Sequence, residues 1–388
     1  MNASAAFKFT LRSVLLDKGA VLPGVLGVIV YAFFYPLPYL PETVQNIPVA
    51  VADYDSSPLS REFARNLDAT REVRVISGTR RVMDAVPLLQ QGKIGGIVAI
   101  PPDFNRDVLR GTPTGVTVMG HGGYIVVDST ILETAAEVLA ATAAAPLAAH
   151  LVESNVPPAV LIRAAHAEPL LIKQPMFNTV QGYESYVVPA SMGLIVHQLL
   201  IVAICVVIGT WIEHGGWTIA PQGKLSFGAF GGMLAAFWLL VWCAILFWIG
   251  FVLWYHDLPR AGHLSAAISV GALYALAIAA LGVVLGCWMA DRERVFQVIG
   301  GISIPLLFLS AFAFPAESIP WPLIWLSYLL PSTNGIQALL KFNQMGASWL
   351  EARPEIVRLA LVTGAYTVLA WWMASKRAGV NPVPYALR

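Results

Sequence analysis

Polar side chains that interrupt apolar runs are where this sequence could do chemistry, and they fall into three groups. His197 and Gln198 stand together inside the apolar run 186–210, and His197 is the one ionisable group deep in such a run. At that depth a histidine either lines a path or is a neutral imidazole hydrogen-bonded to a neighbouring helix. The second group is positioned between apolar runs. It comprises the tetrad Asp291, Arg292, Glu293 and Arg294, and the loop 211–226, WIEHGGWTIAPQGKLS, with Glu213, Gly215, Gly216, Trp217, Thr218 and Pro221. Glycines beside a tryptophan on a short polar loop suit a ball-and-socket contact with another protein, and equally a solvated connector. The third is the stretch 301–333, GISIPLLFLSAFAFPAESIPWPLIWLSYLLPST, which carries Ser310, Phe312, Trp321 and the single acid Glu317.

Several chemistries are excluded by spacing. There is no GxxxxGK[ST] phosphate loop, and Gly92-Lys93 and Gly223-Lys224 lack both the upstream glycine and the following hydroxyl residue. The chain therefore does not hydrolyse ATP itself. His121, His150, His166 and His214 show no HExxH-like spacing, and no GxSxG elbow accompanies the serines. No metal or cofactor is expected in this chain, and an intramembrane hydrolase is the weak alternative. Cys205, Cys243 and Cys287 all lie in apolar runs and read as packing residues.

The elements that must position these groups follow from composition. With 388 residues, 57% hydrophobic and 12% charged, the chain carries about half the charge fraction of a soluble protein. It is expected to be a polytopic α-helical membrane protein. A net charge of +1 gives no argument for a nucleic-acid partner. Residues 1–18 read as a basic amphipathic helix for the membrane surface, with Phe7, Leu11, Val14 and Leu15 on one face. Spans are expected at 19–40, 186–210, 227–255, 264–290, 295–314 and 356–375. A water-exposed α/β domain is expected over 41–185, where short β-like runs alternate with helical ones and Ser57-Pro58 opens a helix. Pro315, Pro320 and Pro322 stop the fifth span, and 315–335 reads as a re-entrant hairpin, because its second apolar run is too short to cross. Lys and Arg on one set of short loops place both termini in the cytoplasm. Glu184, Asp257, Arg260 and Glu317 then read as anchors at the outer headgroup level.

Pro305, Leu309-Ser310, Phe314-Pro315, Glu317, Pro320, Trp321, Leu326-Ser327 and Pro331 together resemble the fifth-helix region of type-2 ABC transporter permeases. Ala311 departs from the glycine common there. VADYDSSPLSREFARNLDAT (51–70) is similar to the segment that opens the extracytoplasmic domain in a large subset of that family. The resemblance implies a permease subunit of an exporter in the bacterial cytoplasmic (inner) membrane, driven by a separate ABC ATPase that holds ATP and Mg. It also implies a homodimer, or a heterodimer with a related permease, and a periplasmic adaptor as a further partner beside the membrane lipids. The 211–226 loop would be the coupling element, although it keeps only part of the family pattern; the 291–294 turn offers the second cytoplasmic surface. His197, Gln198, Ser310, Phe312, Glu317 and Trp321 would lie along the substrate path or its exit. With almost no buried charge, the bundle suits a hydrophobic or amphiphilic substrate: a drug, a lipid or a metabolite. A polytopic scaffold or receptor with a sensing domain is the rival reading, and it would need no ATPase.

Overall fold

The structure, a computed structural model, describes residues 1–40, 44–110, 112, 114–120, 125–153, 182–213, 219–220, 223–258, 260, 263–313 and 316–378. The chain divides into two compact units: Met1–Leu40 with Met176–Arg388, and Pro41–Pro175.

In the second unit, β1 (Ile47–Asp53), β2 (Val73–Thr79), β3 (Gly96–Ile100) and β4 (Thr117–Gly120) form a sheet of order β2-β1-β3-β4. β1 pairs in parallel with β2 and β3, and β3 antiparallel with β4. Parallel neighbours require crossovers, which the helices numbered α3 (Pro58–Asp68) and α4 (Val82–Gln90) in chain order supply. The run IPVAVA that opens β1 is apolar throughout because the strand is covered on both sides. Ile47, Val49 and Val51 meet Phe63 and Leu67 of α3 and Ile131 of α6 (Ile125–Glu153), while Ala50 and Ala52 meet Ala85 of α4. Ser57 caps α3 as expected: its Oγ accepts the Ser60 N–H at 3.0 Å, and Ser60 Oγ accepts the Ser57 N–H at 2.9 Å. α5 (Phe104–Leu109) completes the unit. α6 continues through Pro146, where an interruption was expected.

The first unit begins with α1 (Ala3–Leu16) and α2 (Lys18–Tyr39). Asp17 breaks the chain between them in an extended conformation and caps α2, its Oδ1 accepting the Gly19 N–H at 2.8 Å. Ala6, Thr10 and Val14 of α1 pack inward, while Leu15 is exposed. Small side chains permit a closer approach than Phe7 and Leu11 would, and a Cβ on Gly232 would fall 2.1 Å from the Ala3 carbonyl oxygen.

Among the described residues, five helices are long and apolar enough to cross a membrane: α2, α7 (Tyr183–Glu213), α8 (Phe227–Tyr255), α9 (Leu264–Met289) and α13 (Arg353–Ala378). The expected fifth span is α10, Arg292–Leu309, which is 18 residues long and opens on three charged residues, so it falls outside that set. It nonetheless runs alongside most of α7, since Gly209 lies against Arg292 at one end and the Tyr186 hydroxyl donates to the Phe312 carbonyl at the other.

α7 and α9 form the centre of the bundle. A Cβ on Gly282 or Gly286 would fall 3.0 Å from Ile204 or 2.9 Å from Ile208, well inside van der Waals contact, so these glycines let the two helices approach. After α10, the segment expected to be a hairpin over 315–335 contains α11 (Trp321–Tyr328) and α12 (Pro331–Asn343). Its second arm thus runs past the expected end. α12 is amphipathic and enters the bundle: Gly335 lies on the Tyr274 ring, and Ile336 on Gly193. Lys341 remains at its rim, bonded to Glu355 of α13 at 2.9 Å.

Candidate functional site

The polar groups of greatest interest meet where α2 and α10 begin and α7 ends. Any helix start leaves backbone N–H groups unsatisfied and attracts negative charge. At α10 two carboxylates answer this. The Arg292 N–H donates to Glu213 Oε1 at 2.9 Å, and the Glu293 and Arg294 N–H groups donate to Asp291 Oδ1 at 2.8 and 3.2 Å. Those two backbone hydrogen bonds, aided by the nearby Arg294 guanidinium, hold the Asp291 carboxyl below its ordinary range.

Asp17 draws in the remaining chain. Its Oδ1 lies 3.3 Å from the Arg292 guanidinium, and its Oδ2 accepts from the Thr210 hydroxyl at 2.8 Å. One carboxylate therefore ties the start of α2, the last turn of α7 and the first turn of α10. Gly209 makes the junction tight, because a Cβ there would sit 2.9 Å from the Arg292 nitrogen. α1 is fastened to the same place, with Trp211 Nε1 donating to Ser13 Oγ at 3.3 Å and its indole 5.5 Å from the Phe9 ring. A push on α7 or α10 here cannot move one element alone.

Glu213 and the 291–294 tetrad, predicted from sequence as two separate surfaces, are thus one. Gly215, Gly216, Trp217, Thr218 and Pro221 lie outside the described residues. Asp17 and Thr210 escaped the sequence reading, although an Asp immediately before a long apolar run is a helix-start signal.

His197 and Gln198 point to different neighbours. His197 is buried, stacked on Tyr274 with ring centroids 6.2 Å apart, and neither ring nitrogen has a partner among the described residues. Of the two readings of His197 from sequence, the hydrogen-bonded imidazole is therefore not seen among the described residues. Tyr274 directs its own hydroxyl to the Gly193 carbonyl at 3.0 Å. Gln198 Oε1 accepts from Ser303 of α10 at 3.2 Å.

Ser310 and Phe312 are buried at the far end of α10. Gln337 of α12 donates to the Ser310 and Ala311 carbonyls at 3.2 and 2.9 Å, and Thr333 to Leu309 at 2.9 Å. Trp321 is three-quarters exposed, and Glu317 falls in the Ala316–Ser318 turn. These four do not converge with His197. Glu184, expected as a headgroup anchor, is instead buried 3.4 Å from His256 Nδ1, whose Nε2 faces the Ala32 carbonyl at 3.1 Å. A carboxylate in the first turn of a helix is favoured by the helix dipole, and here the His256 ring lies beside it.

Comparison with known proteins agrees with this architecture. A family model described as ABC-2 family transporter protein matches residues 21–372. The chain is 23% identical over 383 residues to the inner membrane transport permease YhhJ of Escherichia coli (strain K12), covering 95% of this chain and 96% of that protein. The Shigella flexneri protein of the same name matches equally. The match spans helices of both ends of the bundle and the sheet unit between them, and the chain belongs to the ABC-2 family of transporter proteins.

Proposed function

We propose that this ABC transporter permease is one of two membrane subunits of an exporter, identical or paired with a close relative, and that it receives the work of a separate ABC ATPase at the Asp17–Glu213–Arg292 junction. The observation that carries the reading is the Glu213 carboxylate on the Arg292 N–H. It makes the end of α7 and the start of α10 one body, so a contact on either loop reaches both helices. ATP and Mg belong to the partner. Binding of ATP would favour one of two arrangements of the paired bundles, transmitted by rigid-body contact.

In this reading six helices cross the membrane, the five apolar ones and α10. Support comes from α10 reaching from Glu213 at one end of α7 to Tyr186 at the other. Both termini are cytoplasmic, and the sheet unit lies outside, where it meets its dimer mate or a periplasmic adaptor. A substrate that is hydrophobic or amphiphilic suits a bundle whose buried charges are already paired among themselves. The membrane is the bacterial inner membrane, as it is for the YhhJ permeases by name.

The test is co-expression with each ABC ATPase of the source organism, followed by purification into nanodiscs and mass determination. A complex of two permease chains with two ATPases that hydrolyses ATP is expected. A monomer that binds none of them would overturn the proposal and favour a scaffold or receptor.

A further inference from the structure

Within the first unit, a narrow and partly open cavity lies between α7, α8 and α12. Its wall is apolar, built from residues such as Met192, Val196, Ile249 and Leu339, with no charged side chain among the lining residues. Two hydrogen-bonding side chains interrupt the wall. Trp248 is 3% exposed and its indole N–H has no acceptor among the described residues; Asn343, 6% exposed, adds an amide. An enclosed N–H without an acceptor is a cost that folded proteins rarely leave uncompensated. Trp248 also sits in the π-helical segment Phe247–Val252 of α8, a local widening of the helix that recurs at functional sites.

These features define an occupant. α7 and α8 are both apolar enough to cross a membrane, so a gap between them exchanges with hydrocarbon. A small, partly open apolar space suits a chain of methylenes. The absence of charge excludes an ionic headgroup from the interior. The Trp248 N–H, with the Asn343 amide beside it in an otherwise apolar wall, calls for a neutral acceptor oxygen. We infer that this cavity binds one acyl chain of a bilayer lipid, with a neutral carbonyl oxygen received by Trp248 and Asn343. Seated there, the chain would fill the space that α12 would otherwise close, and so would bear on where that helix rests. The inference depends on the chain being membrane-embedded, and on nothing in the ATPase reading.

The experiment uses phosphatidylethanolamine with a diazirine on one acyl chain, incorporated into nanodiscs with the full-length permease. After photolysis, adducts are mapped by peptide mass spectrometry. Adducts on Met192, Trp248 and Leu339 are expected, suppressed by excess unlabelled phosphatidylethanolamine. Val196→Phe, which fills the space, should abolish them while leaving adducts on Trp254, an exposed residue of the same helix, as an internal control. Should Val196→Phe not fold, Leu339→Phe at the rim serves the same purpose. Trp248→Phe keeps the ring and removes the N–H. It should erase a preference of about two- to tenfold for the ester-linked over the ether-linked probe, the size of one net hydrogen bond. Cavity adducts that persist in both filled variants, that unlabelled lipid does not suppress, or that never exceed background would each overturn the inference.

Discussion

Ala311 ends α10 in a left-handed backbone conformation, φ +58°, which costs a residue with a Cβ about 1–2 kcal/mol relative to glycine. This gives a physical reason for the glycine common in resembling permeases at that place. Ala311→Gly is accordingly expected to raise thermal stability in detergent by up to about 1 kcal/mol, because the entropy of the unfolded glycine offsets part of the gain. An unchanged or lower melting temperature would show that the Gln337 bonds, not the backbone, set the turn. At Gly335 the sign reverses. A Cβ there would lie 2.3–2.6 Å from atoms of the buried Tyr274 ring, so Gly335→Ala should destabilise by about 1–3 kcal/mol or more, as overpacking does. The junction can be graded in the same way. Arg292 and Asp17 side chains form a partly exposed pair, worth about 0–1 kcal/mol, whereas removing Glu213 strands a helix-start N–H at a cost of about 1–3 kcal/mol. Glu213→Ala should therefore lower stability more than Arg292→Ala.

At the scale of elements, the α7–α9 contact depends on Gly282 and Gly286 facing Ile204 and Ile208. Gly286→Val should destabilise the bundle, and Ile208→Ala should recover part of the loss, because the two changes share one contact. Failure of the double variant to recover would mean that α9 tolerates displacement. The α10 cap makes a pH prediction. Asp291 has a lowered folded value, so its cap stabilises above the unfolded carboxylate range and is lost as pH falls through the folded value. The protection factors of the Glu293 and Arg294 amides, taken after correction for the intrinsic pH dependence of exchange, should fall over that acid window and not over alkaline pH. The topology of the α11–α12 hairpin can be tested by thiol labelling, though not at Ser332, which is fully buried. Ser318→Cys and Met345→Cys, at exposed positions on either side of the hairpin, should both react with an impermeant reagent from the outer side alone. Labelling of one from each side would make the hairpin a crossing. Periodicity in the sequence was sufficient to locate β1, the Ser57 cap and the long spans, since each is decided by local chemistry. It could not find α12, whose apolar residues are spaced for packing on Tyr274 and Gly193, partners distant in the chain. Nor could it orient His197 and Gln198, adjacent residues whose environments are set by two different helices.

At the scale of the molecule, the sheet unit is a closed excursion from the bundle. Tyr39 at the end of α2 and Tyr183 at the start of α7 have ring centroids 5.3 Å apart, so a short linker can join these helices without the 41–175 unit between them. Deletion of 41–175 with such a linker should leave a folded bundle that still assembles with its ATPase but exports poorly; undiminished export would reject a role for the unit. The proposed point of energy transfer lies at the opposite end of α7, where Asp17, Thr210, Glu213 and Arg292 meet. The most direct test is the ATP hydrolysis rate of the assembled complex in nanodiscs, wild type against Glu213→Ala, with assembly checked by mass. The junction as transmitter predicts that the variant still binds its ATPase while the hydrolysis that the permease stimulates falls towards the rate of the ATPase alone. Full stimulation in an intact Glu213→Ala complex would contradict it.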